Sequence, residues 1–139
     1  MPTVRELMTP SPHTIGADQP IAEAMRRMRQ AQIRHLPVLE GAQLVGLLSD
    51  RDVRLVEALD ALRGGGAEQR MRVSDAMSPE PYVVGIDDDL AGIVSTMAER
   101  KLGSAIVTDQ RRVVGIFTTT DALHLLMRHL DVAELRRGF

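Results

Sequence analysis

No cysteine occurs anywhere in the 139 residues. That excludes disulfides, a thiolate nucleophile and thiolate metal ligands. Tryptophan is absent as well, and aromatic residues make up only 2% of the chain. The core must therefore be filled by aliphatic side chains and the eight methionines. Charge of one sign is lacking too: the formal net charge is −2 and the pI near 6.1. A nucleic acid or an anionic lipid surface would call for a basic field that this chain does not have. No apolar run approaches the roughly 18 residues of a membrane-spanning helix. Met1-Pro2-Thr3 does not open a secretion signal. The expectation is a cytoplasmic protein with neither nucleic acid nor membrane as partner. What is present is ordinary, 44% hydrophobic and 26% charged, enough for one domain or two small halves that share a core.

The informative feature is a repeat. Val45-Gly46-Leu47-Leu48-Ser49-Asp50-Arg51-Asp52 returns 69 positions on as Val114-Gly115-Ile116-Phe117-Thr118-Thr119-Thr120-Asp121. The same shift aligns residues 4–52 with 73–121 without a gap, and twelve of the 49 pairs are identical. Among them are Val4/Val73, Met8/Met77, Pro10/Pro79, Gly16/Gly85, Asp18/Asp87, Met28/Met97 and Gly46/Gly115. Conserved turn residues at one offset mean two copies of one supersecondary unit.

Each copy reads the same way. A helical turn at 4–8 and 73–77 stops at a proline. A short strand follows at 13–16 and 82–85. Asp18 and Asp87 stand where a helix N-cap belongs, and Pro20 suits a first turn. The next helices bury Ile21, Ala24, Met25 and Met28, and Leu90, Ile93, Val94 and Met97, at helical spacing. Two strands follow, 36–39 with 43–49 and 105–108 with 112–118, each pair joined by a tight turn. Closing helices at 50–63 and 119–130 are apolar over an arc wider than one neighbour requires, which points to a second contact. The expected division is a first repeat at 1–63, a linker at 64–72 around Gly64-Gly65-Gly66, a second repeat at 73–130 and a tail at 131–139.

The chemistry concentrates where a strand hands over to a helix. Ser49 and Thr118 are helix caps that can also serve a phosphate. Asp52 and Asp121 follow three residues later; a carboxylate only accepts hydrogen bonds and suits a diol such as ribose. Arg34 and His35 precede one strand and can meet phosphate oxygens, whereas Gly103 and Ser104 hold the matching places with less charge. Arg51, between two aspartates, is expected to pair with them. Asp87-Asp88-Asp89 lacks the ligand spacing of a cation loop and fits a helix start. His13, His35, His124 and His129 make no metal pattern. No nucleophile elbow, phosphate-cradling loop or acid–base pair occurs, so no catalysis and no catalytic cofactor are expected.

The ordered set, doubled at constant spacing, resembles a tandem pair of cystathionine β-synthase (CBS) domains, a Bateman module. Thr14-Ile15, Asp18, His35-Leu36-Pro37-Val38 and the segment from Leu44 to Asp52 carry the resemblance in the first copy. Val83-Val84, Asp87, Val107 and the segment from Val114 to Asp121 carry it in the second. The second copy departs with Ile106 in place of the proline and Val83 in place of the threonine. The resemblance implies an α+β fold of two βαββα repeats packed sheet to sheet around a pseudo-twofold axis, with two clefts. It implies that these clefts bind AMP, ADP, ATP or S-adenosylmethionine. Thr14, Ile15, Val83 and Val84 would hold the adenine, Pro37 would belong to the same site, and Asp52 and Asp121 would hold the ribose. It further implies a homodimer and an unidentified regulated protein. Against this ligand-sensing regulatory role stands a structural dimerisation module with empty sites.

Overall fold

The computed structural model describes residues 2–130; the expected tail lies outside the described residues. The elements in chain order are α1 (Val4–Leu7), β1 (Thr9–Pro10), β2 (Ile15–Gly16), α2 (Ile21–Ala31), β3 (His35–Glu40), β4 (Gln43–Ser49), α3 (Asp50–Leu62), α4 (Ala67–Arg70) and α5 (Val73–Ala76). Then come β5 (Val83–Gly85), α6 (Leu90–Arg100), β6 (Ser104–Asp109), β7 (Arg112–Thr118) and α7 (Thr119–His129). The fold is α+β with two sheets, ordered β2-β3-β4 and β1-β7-β6-β5.

The chain forms two compact units that do not follow the order of the repeats. One gathers Pro12–Pro81 with Gln110–Arg112; the other gathers the segment up to Ser11, Tyr82–Asp109 and the chain from Val113 on. The opening helices are exchanged. The Val73 and Ser74 N–H groups donate to the carbonyls of Gln19 and Ala17, in the first repeat. The Val4 and Arg5 N–H groups donate to the carbonyls of Asp88 and Ile86, in the second. Fully buried Val73 joins a core of Ile15, Ile21, Met28, Leu36 and Leu48, while fully buried Val4 joins Leu90, Ile93, Ala105, Val107 and Phe117.

Within the first unit, β2 runs parallel to β3, and β3 pairs antiparallel with β4, placing His35 opposite Ser49. The α2 face buries Ile21, Ala24, Met25 and Met28, as the spacing indicates. In the second unit Leu90, Ile93 and Met97 are buried but Val94 is 36% exposed, so that helix turns a narrower face inward. On α3 and α7 the surplus apolar arc is real: Leu55, Leu59, Leu62, Leu123, Leu126 and Met127 are all exposed, as is Leu130 just past the end of α7.

Asp18 and Asp87 do not cap their helices. A turn closed by the Gln19 N–H on the Gly16 carbonyl, and by Asp88 on Gly85, delays each helix by two residues. The α2 cap is Pro20, without a side-chain bond, and the Ile21 N–H donates to the Met71 carbonyl. The α6 cap is Asp89, which accepts the Gly92 N–H. Asp88 Oδ2 accepts the Gly85 N–H and Asp87 pairs with Arg5 at 2.8 Å. The three consecutive aspartates thus serve three separate partners, and no cluster able to hold a metal ion exists among the described residues. Among those residues, too, no helix is long and apolar enough to cross a membrane.

Candidate functional site

The first corner is built where β4 delivers Ser49 to the start of α3. Ser49 has extended backbone, so its side chain turns back over the helix end. Its hydroxyl accepts the Asp52 N–H at 3.2 Å, and Asp52 Oδ2 accepts the Ser49 N–H at 2.9 Å, a reciprocal capping box. The Ser49 hydroxyl proton also goes to Asp52 Oδ2, at 2.9 Å. Two donors therefore fix one carboxylate oxygen, while Oδ1 has no partner among the described residues. The pair is half-buried.

Arg34 and His35 are held beside this helix end. The Asp50 N–H donates to the Arg34 carbonyl at 2.8 Å. Burial pushes the His35 imidazole below its usual pKa, a shift opposed by Asp50 and Asp52 and aided by Arg34. The Arg34 side chain is exposed and makes no ion pair among the described residues. Arg51 does not pair with its neighbours as expected. Asp50 instead pairs with Arg54, 2.8 Å away and four residues on, because adjacent helix residues do not face each other.

The second corner repeats the box and then differs. Thr118 accepts the Asp121 N–H at 3.2 Å and gives its own N–H and hydroxyl to Asp121 Oδ2, at 2.8 and 3.1 Å. Here Oδ1 is also taken, by the Thr9 hydroxyl at 3.3 Å. The residue matching Thr9 in the repeat is Ser78. Its backbone pairs with Leu47, and its side chain makes no bond to Asp52 among the described residues. Gly103 supplies only its carbonyl, which accepts the Thr119 N–H and hydroxyl. Ser104, matching His35, is 4% exposed, and its hydroxyl has no partner among the described residues.

The adenine edges differ for a reason visible in one residue. Ile106 donates its N–H to the Tyr82 carbonyl at 2.8 Å, so β5 includes Val83, paired with Ile106. Pro37 has no N–H to give. The first-repeat edge strand therefore starts one residue later, at Ile15, paired with Val38. Thr14 stays outside the strand, and its carbonyl accepts from Arg27 Nη1 at 2.7 Å. Thr14 and Ile15 line a cavity of about 420 Å³ with Asp18, Arg27, Leu39 and Glu40. Ser49, Asp52, Arg34 and His35 do not line it. Asp121 borders a far smaller hollow of about 80 Å³ with Leu7, His124, Leu125 and Arg128. Sequence reasoning missed Arg27 and Thr9. The hydroxyls matched at 9 and 78 were the one available hint of the second.

A family model described as CBS domain matches residues 4–58 and 73–128. The chain is 30% identical over 121 residues to the CBS domain-containing protein YhcV of Bacillus subtilis, covering 87% of this chain and 83% of that one. It is similar in fold to the CBS domain pair of protein MJ0100, solved with 5′-methylthioadenosine and S-adenosyl-L-methionine. That match has a TM-score of 0.81 at 22% identity and covers 94% of this chain and 99% of the other. It is similar also to CBSX2, solved with AMP, with a TM-score of 0.76 at 23% identity over 91% and 96% of the two chains.

Proposed function

The chain belongs to the CBS domain family, and on that premise we propose that it is a non-catalytic regulatory module that binds an adenosine-containing ligand. The observation that carries this reading is the first corner. A carboxylate fixed through one oxygen keeps the other for a ribose diol, with a histidine and an arginine that has no ion pair among the described residues beside it. Asp52 accepts the ribose hydroxyls, Arg34 and His35 meet phosphate oxygens, and Thr14 and Ile15 hold the base along the edge that Pro37 leaves open. Ser49 sets the carboxylate. In the second repeat Thr118 and Asp121 form the corresponding corner, with Gly103, Ser104, Val83 and Val84 around it. That relatives of this fold were solved with AMP or with S-adenosylmethionine supports the ligand class.

The exposed leucines of α3, and separately those of α7, each offer an apolar face to a second copy of the chain. Half-exposed Leu59 and Leu126 lie within long apolar arcs that a protein in isolation has little reason to keep. Ligand binding then signals by favouring one arrangement of a regulated partner over another, which requires different affinity for the two.

Titration calorimetry with ATP and AMP tests the reading. Asp52→Ala combined with Asp121→Ala should abolish binding while circular dichroism and light scattering show the same fold and the same dimer. Undiminished binding by that double variant would remove the site assignment. A monomer at micromolar concentration would remove the dimer.

A further inference from the structure

The two repeats are copies in sequence but not in chemistry. Three independent features separate them. First, Asp52 Oδ1 has no partner among the described residues, whereas Asp121 Oδ1 already accepts the Thr9 hydroxyl. A diol needs two open acceptor sites on the carboxylate: Asp52 Oδ1 offers both of its lone pairs, whereas at Asp121 three donors are in place and Oδ1 has only one left. Second, the position beside the helix start carries Arg34 and His35 in the first repeat but Gly103 and Ser104 in the second. At that position only the first carries a cation for a phosphate chain, although His124 and Arg128 stand beside Asp121. Third, Pro37 has no N–H with which to make the bond that Ile106 gives to the Tyr82 carbonyl, so the matching His13 carbonyl has no partner among the described residues. That leaves a backbone acceptor for an exocyclic amine in the first repeat and none at the same place in the second.

The cavity at Thr14 and Ile15, about 420 Å³, falls in the size range of small-molecule sites and gives room on the side of the base, with Ser49, Asp52, Arg34 and His35 outside its lining; Asp121 borders a hollow of about 80 Å³.

We propose that the chain takes one phosphate-bearing adenosine ligand, in the first repeat, and that Thr9 commits Asp121 to structure. This rests on the reading above that the chain binds adenosine compounds. The opening segment that contributes Thr9 comes from the first repeat, so one hydroxyl makes the second corner a fixed brace. Its counterpart Ser78 leaves Asp52 uncommitted.

Two measurements test the proposal. Calorimetric titration with ATP should give one site per chain, and Asp52→Asn should leave none. Two sites per chain in the wild type, or one surviving at full affinity in Asp52→Asn, would overturn the inequality while leaving the binding function intact. No binding of ATP, ADP or AMP by the wild type would overturn the reading itself, and with it the assignment of a ligand to the first repeat. The brace is read without ligand. Urea unfolding of Thr9→Val, Asp121→Asn and the double variant should be non-additive, with the unfolding constants departing at least twofold from the product of the single effects. The matching cycle of Ser78→Ala with Asp52→Asn should be additive. Additivity in the first cycle would overturn the role given to Thr9.

Discussion

The Met77 thioether sulfur sits 2.5 Å from where a Cβ on Gly46 would be, with the Ser78 carbonyl oxygen at 2.8 Å. Met8 stands over Gly115 in the same way. These two contacts are where the exchanged opening segments lock onto the opposite repeats, and they explain why glycine and methionine recur together at one offset.

Gly46→Ala should therefore cost about 1–3 kcal/mol through overpacking. Gly115→Ala should cost less, because its nearest neighbours all belong to the flexible Met8 side chain, whereas Gly46 also faces backbone. Urea unfolding midpoints of the two variants give the ranking; equal cost would contradict it.

Helices α2 and α6 each end on a non-glycine residue in the left-handed region, Gln32 at φ 54° and Lys101 at φ 55°. Each N–H closes onto a methionine carbonyl, Met28 and Met97. Gln32→Gly and Lys101→Gly should each stabilise the protein by about 0.5–1 kcal/mol, since glycine adopts this conformation without a Cβ clash. A fall in the thermal midpoint would contradict this.

Hydrogen bonds from Arg26, then Arg27, hold the Glu23 carboxyl down at about 2 from an ordinary 4.5. A depressed carboxylate adds stability that is complete above its unfolded value and is lost as pH falls through the folded one. Glu23→Gln should lower the urea midpoint at pH 6, and the gap to wild type should close between pH 4.5 and 2. The effect is small because the group is solvated. A gap unchanged at pH 2 would refute it.

His35 shifts downward for the opposite cause, burial of its charged form. The unfolded chain then takes up a proton that the folded one refuses, so His35 costs nothing above its ordinary 6.5 and destabilises as pH falls below it. Wild-type stability should drop between pH 7.5 and 5.5 more steeply than that of His35→Gln. Parallel pH profiles would contradict the burial.

Much of this was legible in the sequence because local pattern and tertiary role agree. The strands 43–49 and 112–118 are read from their apolar runs and end on the residues found, Ser49 and Thr118. The α2 face was fixed by helical spacing alone. The exchange of opening helices was not legible, because Val4 and Val73 are identical and either would fit either core. The delayed helix starts were hidden by turns that place aspartates two residues before the true cap. At the corners, sequence gave the hydroxyl and carboxylate but not which carboxylate oxygen remains open. That depends on Thr9, which lies 112 positions from Asp121 along the chain.

The most direct test of the ligand-sensing role is thermal unfolding of the wild type with AMP, ADP, ATP and S-adenosylmethionine in turn. A ligand present at 100 times its dissociation constant stabilises the folded state by about 2.7 kcal/mol. The expected result is a selective rise in the midpoint of several degrees with a phosphate-bearing member of the panel, lost in Asp52→Asn. An unchanged midpoint with every compound at millimolar concentration would contradict adenosine binding and leave the leucine-striped dimer as the function.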